Sequence, residues 1–171
     1  MATTLETQSA PHAAPPWDRP DALGLTLSMV IPLAAVVIGN GLIYASGSLN
    51  NPDYEAVSWG PPGWLIGAIW CAIYPLWGAA RWKVAAKSDA HSGRSWWLVA
   101  LIVWGLCYPV VTAFTGTAGS VVANVLSLAL AIVTIIRVWP ASMAAVGLIA
   151  PSILWLCVAN AFGFAALEGA S

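Results

Sequence analysis

Charged side chains are scarce in this 171-residue chain: Asp, Glu, Lys and Arg together make up 8% of it, whereas 60% of its residues are hydrophobic. Soluble domains carry about 25% charged residues. With a mean hydropathy of +0.80, the composition indicates an integral membrane protein with little material outside the bilayer. The formal net charge of −1 gives no sign of a nucleic-acid partner.

Ionisable groups are missing from the middle of the apolar stretches, since no Asp, Glu, Lys, Arg or His lies deep within any of them. Pumps and ion-coupled transporters generally need such groups as relays or counter-ions. His12 and His91 lie outside the stretches, so neither can be an axial ligand of a buried haem iron, and no Ser-His-acid triad can form inside. Cys71, Cys107 and Cys157 all lie in apolar runs and form no visible disulfide framework. We expect no catalytic residue, no metal site and no required cofactor.

The apolar residues fall into five stretches, each close to the ~20 residues that a membrane helix needs. Backbone groups in lipid must be satisfied within the segment, which requires helices, and most connections are short, which makes neighbouring helices antiparallel. We therefore predict an all-α integral membrane protein, a five-transmembrane-helix bundle over residues 22–171, preceded by a flexible tail over residues 1–21. The predicted helices are 22–45, 62–84, 96–114, 118–138 and 142–167.

Basic residues predict the orientation of the bundle. With five alternating spans, all six of them fall on one side: Arg19, Arg81, Lys83, Lys87, Arg94 and Arg137. The positive-inside rule then places the N-terminus in the cytoplasm and the C-terminus outside.

Tryptophan is abundant where charge is scarce. Residues 58–86, "SWGPPGWLIGAIWCAIYPLWGAARWKVAA", contain five tryptophans. Their helical spacing predicts that one face of the helix is formed by Gly67, Trp70, Tyr74, Trp77 and Arg81. Tryptophans at predicted helix ends fit an interfacial belt instead, namely Trp59, Trp64, Trp82, Trp96 and Trp97. For Trp70, Trp77 and Trp155, which lie further in, plain packing is the alternative to ligand binding.

Residues 59–84, "WGPPGWLIGAIWCAIYPLWGAARWKV", closely resemble the signature of the TspO/MBR family, the tryptophan-rich sensory proteins related to the peripheral benzodiazepine receptor. The signature is matched without a gap by Trp59, Pro61, Pro62, Trp70, Tyr74, Gly78 and Val84. Tyr54 is similar to a Tyr that precedes the motif in the family. In the last predicted helix, Pro151 and Trp155 match the family's Pro-x-x-x-Trp.

Other positions depart from the family pattern. The helix 3 Asn that the family usually carries is Trp104 here, and the aromatic residue usual two positions before Pro109 is Cys107. Asn124 stands where relatives often have an Asp. The late helix 5 Asn is replaced by Gly163. The wall formed by the second helix therefore looks standard, whereas the facing walls do not.

The resemblance implies a membrane receptor or sensor with a ligand pocket open toward residues 46–61. It implies binding of porphyrins and other tetrapyrroles, of sterol-like molecules in some members, and of synthetic benzodiazepine-site ligands. The family tryptophans tied to porphyrin binding and to its light-dependent breakdown correspond to Trp70 and Trp155, and that breakdown is the one enzyme-like activity implied. The ligand-binding residues that we predict are Tyr54, Trp59, Pro61, Pro62, Gly67, Trp70, Tyr74, Trp104, Asn124, Pro151 and Trp155. The predicted location is the bacterial cytoplasmic membrane, with lipid and a small apolar ligand as partners.

Two other classes of function stay open. One is a structural or accessory subunit of a membrane complex without small-molecule activity of its own; small-residue patches at 117–120 and 141–147 suit close contacts with a membrane-protein partner or in a homodimer. The other is a carrier that moves tetrapyrroles across the membrane. Because the core of the bundle carries no charged residue, the sequence gives no indication whether the protein only binds tetrapyrroles or also transports them.

Overall fold

The computed structural model describes residues 15–45, 59–87 and 93–169 of the chain. This part is all-helical: after a short 3-10 turn, Pro16–Asp18, come α1 (Ala22–Ala45), α2 (Gly63–Ala85), α3 (Arg94–Val138) and α4 (Met143–Gly169). All four helices are long and apolar enough to cross a membrane. Residues 1–14 of the predicted tail lie outside the described residues.

The prediction of five separate helices is wrong, because four are found among the described residues. The expected helices 96–114 and 118–138 are joined directly in one 45-residue helical element, α3, in which two helices meet across a kink at Gly116. The sequence predicts a connection between residues 114 and 118, and within α3 only Gly116 has non-helical dihedrals, φ 62° and ψ −165°. One glycine in a conformation closed to other residues thus replaces the expected loop.

The two limbs of α3, residues 94–115 and 117–138, run antiparallel on either side of Gly116. Close to Gly116, the Tyr108 hydroxyl donates to Asn124 Oδ1 at 2.8 Å. Further away, Trp104 Nε1 donates to Ser127 Oγ at 2.8 Å. At the far end, Thr134 Oγ1 lies 3.5 Å from the Trp97 carbonyl oxygen. Residues that are progressively further from Gly116 on one limb thus pair with residues that are progressively further from it on the other. The two limbs of α3 therefore run the length of the bundle in opposite directions.

Gly116→Ala should lower the stability of the protein, because a Cβ is strained in this backbone conformation at a cost of about 1–3 kcal/mol. The matched control is Gly147→Ala in α4, where an added Cβ would meet no atom within 4 Å and alanine favours the helix by about 0.5–1 kcal/mol. Thermal unfolding in detergent, followed by helical circular dichroism, should therefore move in opposite directions for the two variants. An unchanged midpoint for Gly116→Ala would show that the fold does not depend on this backbone geometry.

The helices pack through a small set of buried side chains and expose apolar ones. α1 contacts α2, α2 also contacts α3 and α4, and α3 contacts α4. The tightest approach is between α1 and α2, where a Cβ on Gly78 would overlap the Ser28 carbonyl group. Large apolar side chains point outward along all four helices, with Phe114 86% exposed. Outward apolar surface around a tight interior fits a bundle surrounded by lipid.

The basic residues gather at one end of the bundle, as we predicted. The N-terminal segment is held there by the end of α2, because Arg81 forms an ion pair with Asp18 and Trp82 Nε1 donates to the Arg19 carbonyl oxygen at 2.8 Å. Arg94 begins α3 and Arg137 lies in its last turn, which the fold at Gly116 brings back to the same end. We call this the basic end.

Candidate ligand-binding site

Four aromatic rings pack together in the interior where α2 meets α3. Three of them, Trp70, Tyr74 and Trp77, come from one face of α2, and the fourth, Tyr108, comes from the first limb of α3. The centroid of Trp70 lies 5.9 Å from those of both Tyr74 and Trp77, and 6.5 Å from that of Tyr108. Tyr74 and Trp77 are 5.3 Å apart. We call these four residues the aromatic cluster.

Hydrogen bonds fix the cluster against α3 and α4. Trp77 Nε1 donates to Ser152 Oγ of α4 at 3.1 Å. The Tyr108 hydroxyl donates to Asn124 Oδ1, and Asn124 Nδ2 lies 3.4 Å from the Ala159 carbonyl oxygen. Polar groups buried in an apolar interior need such partners, so three helices determine where the rings lie.

Two glycines control the space around the cluster in different ways. At Gly105 a Cβ would come 2.6 Å from the Tyr74 hydroxyl oxygen, so glycine is needed there for the buried tyrosine to fit. At Gly67, one turn before Trp70, an added Cβ would meet no atom within 4 Å, although the residue is half-buried. Gly67 thus leaves room for a larger side chain, whereas Gly105 does not.

The Trp155 side chain of α4 is half-buried against the core. Its Nε1 atom is buried, yet it finds no hydrogen-bond acceptor among the described residues. The buried Asn160 Oδ1 atom likewise finds no hydrogen-bond donor among them. An unpaired buried donor costs about 1–3 kcal/mol. A ligand carbonyl or carboxylate near Trp155 would remove that cost.

The remaining predicted site residues lie in several places. Trp59 packs edge-on against Phe162, with ring centroids 5.7 Å apart. Pro61 and Pro62 follow in the chain, and the Pro62 carbonyl oxygen accepts a hydrogen bond from the Leu65 amide at 2.9 Å where α2 begins. Trp104 donates to Ser127 instead of joining the cluster. Pro151 is exposed on α4, and Tyr54 lies outside the described residues.

Three residues in or next to the aromatic cluster are not among the predicted ligand-binding residues. Helical spacing places Trp77 on the same face of α2 as Trp70 and Tyr74, but the family motif does not include it. The resemblance places the helix 3 aromatic residue at Cys107, which is exposed here. The next residue, Tyr108, supplies the ring instead. Ser152, the partner of Trp77, carries no sequence signal of its role.

The described residues contain no group of three or more His, Cys, Asp or Glu that could hold a metal ion. What they bring together is aromatic faces, a few hydrogen-bonding groups and one buried indole donor.

Fold and site together define an all-helical integral membrane protein with an aromatic cluster between its helices. Comparison with protein families matches residues 28–167 to the TspO/MBR family. The chain therefore belongs to the TspO/MBR family, as the Trp59–Val84 motif predicted.

Among curated proteins, the chain is similar to the human translocator protein, with 30% identity over 71 residues. The aligned stretch covers 42% of this chain and 39% of that protein, so the chain matches well under half the length of this relative. No solved structure matches the chain.

Proposed function

We propose that this protein is a membrane receptor that binds a flat, largely apolar ligand of the porphyrin type between the aromatic cluster and Trp155. The proposal rests on the open space at Gly67, one turn before Trp70, together with the buried indole nitrogen of Trp155 on α4, which has no acceptor among the described residues. Membership of the TspO/MBR family supports it.

The chemistry of such a ligand suits these residues. A porphyrin presents two broad apolar faces, on which indole and phenol rings stack favourably, and its carboxylates confine negative charge to one edge. Ligand sites combine apolar walls with a few polar groups that fix orientation. Trp70 would supply a wall and Trp155 Nε1 a donor. Transport and light-dependent breakdown would both start from this bound state, so binding is the step to test first.

Gly67→Leu should weaken protoporphyrin binding by about 1–3 kcal/mol, comparable to overpacking a filled core. The side chain would occupy the space beside Trp70, and leucine favours the helix over glycine, so the protein should still fold. Spectral titration of the detergent-purified protein measures the affinity. Gly147→Leu is the matched control, because its added Cβ is also free of neighbours but lies on the lipid-exposed face of α4. Equal affinities for the two variants would place the ligand elsewhere.

The orientation of the bundle is also part of the proposal: the basic end faces the cytoplasm, by the positive-inside rule. The described contacts put the N-terminal segment at the basic end, and Trp59 and Phe162 at the other. Alkaline phosphatase fused after Ser171 in bacteria should therefore be active, and green fluorescent protein fused there should be dark. A fluorescent, phosphatase-inactive C-terminus would reverse the orientation.

A further inference from the structure

A groove of about 560 Å³ lies at the basic end, away from the aromatic cluster. It forms where the two limbs of α3 come back together, and we call it the arginine groove; it is lined by Arg94, Trp97, Val133, Ile136, Arg137 and Pro140. The lining residues of the second limb and the turn after it follow helical spacing, so they share one face. The volume falls within the range of about 300–1,000 Å³ that is typical of small-molecule sites.

The two arginines of the groove carry positive charge that no described carboxylate balances. Elsewhere at the basic end, Arg81 pairs with Asp18 and Arg19 with Asp21. Arg94 and Arg137 form no ion pair within the described part of the chain. Two guanidinium groups that line one groove, with no carboxylate partner among the described residues, favour an anionic ligand with several acceptor oxygens.

Arg137 is already oriented for such a ligand. Its guanidinium carbon lies over the Trp97 ring, 5.4 Å from the centroid. A guanidinium that contacts an aromatic ring can still direct N–H donors at a phosphate or carboxylate. The side chain is thereby held in place before an anion arrives, which reduces the entropy lost on binding.

The apolar wall of the groove indicates which anion it suits. Ile136 and Val133 are exposed on α3, one and two turns before the groove's outer end at Pro140, and Ile132 continues this apolar surface toward the middle of the bundle. Charge at the membrane interface above a lipid-facing apolar strip matches a phospholipid, with a phosphodiester above its acyl chains. Basic pockets between transmembrane helices bind anionic headgroups in this way.

We propose that the arginine groove binds one anionic phospholipid, with its phosphodiester between Arg94 and Arg137 and its acyl chains along Val133 and Ile136. This site is separate from the proposed porphyrin site. It would anchor the basic end to the anionic leaflet and leave the aromatic cluster untouched.

The test is native mass spectrometry of the detergent-purified full chain, titrated with phosphatidylglycerol or phosphatidylcholine. The wild type should retain one phosphatidylglycerol per chain in preference to phosphatidylcholine. Arg137→Gln should weaken retention about fivefold, the conversion of roughly 1 kcal/mol for a basic group at a membrane surface. Arg94→Gln/Arg137→Gln should abolish the preference for phosphatidylglycerol. Since Arg137 is exposed and Arg94 only half-buried, these variants should keep the wild-type unfolding midpoint.

Lys83→Gln is the matched control, because Lys83 also lies over an indole ring at the basic end, 5.8 Å from the centroid of Trp82, but does not line the groove. It should retain phosphatidylglycerol like the wild type. An equal loss for Lys83→Gln and Arg137→Gln would reduce the effect to general surface charge and overturn the proposal. Displacement of the lipid by millimolar inorganic phosphate would also overturn it, since the groove would then be a free-anion site.

Discussion

Trp77→Ala should lower the free energy of unfolding by about 3–5 kcal/mol, as expected for a large aromatic residue removed from a packed interior. Trp77 is 1% exposed, contacts the rings of Trp70 and Tyr74 and donates to Ser152 on α4. Its loss would leave a cavity between α2 and α4 and remove the hydrogen bond that joins them. Reversible unfolding in mixed detergent and SDS micelles measures the change.

Two further variants separate the contributions at this position. Trp77→Phe keeps most of the ring packing but removes the hydrogen bond, and should cost about 1 kcal/mol for the bond together with a smaller packing loss. Trp96→Ala should change the stability little, because Trp96 is 68% exposed at the start of α3. A loss for Trp96→Ala equal to that for Trp77→Ala would mean that the interior cluster has no special role in holding the helices together.

The helix positions could be predicted closely from the sequence because hydrophobic length determines them. The first predicted helix, 22–45, coincides with α1, and the others differ from α2, α3 and α4 by two residues or fewer at their outer ends. The number of separate helical elements could not be predicted in this way. Hydropathy shows that two apolar segments meet near Gly116, but it does not show whether a loop or a single glycine joins them. The backbone conformation of a single glycine has no hydropathic signal.

The candidate site could be predicted in part for a similar reason. Helical periodicity places residues of the same helix on one face, and it correctly grouped Trp70, Tyr74 and Trp77. Contacts between helices depend on rotation and register, which one sequence does not specify. The contact of Tyr108 with Trp70 therefore could not be predicted from the sequence, and neither could the hydrogen bond from Trp104 to Ser127 within α3.

Trp70→Leu and Trp155→Leu should each weaken protoporphyrin binding by about tenfold or more, since aromatic stacking contributes roughly 0.5–1.5 kcal/mol beyond the apolar area that each indole buries. Trp70 is half-buried and contacts the other three rings of the aromatic cluster, and Trp155 has a buried indole nitrogen with no acceptor among the described residues. Any light-dependent loss of the porphyrin spectrum should disappear in either variant. The unfolding midpoint of each variant should be measured first, so that lost affinity is not a loss of folded protein.

Trp96→Leu is the control for this pair, because it removes an indole at an exposed helix end and leaves the proposed site intact. Its affinity for protoporphyrin should equal that of the wild type within about 0.5 kcal/mol, the usual effect of a surface substitution. If it costs as much as Trp70→Leu, the indoles act as general membrane anchors.

The most direct test of the central claim is a protoporphyrin titration of the wild type, the two single variants and Trp70→Leu/Trp155→Leu, followed by the porphyrin spectrum and indole fluorescence. We expect saturable binding with indole quenching in the wild type. In the double variant, we expect a loss of affinity that differs from the sum of the single losses by more than about 0.5 kcal/mol, because residues that contact one ligand are coupled. Wild-type protein that neither shifts the porphyrin spectrum nor loses indole fluorescence would contradict a binding site between α2 and α4, and so would losses that simply add.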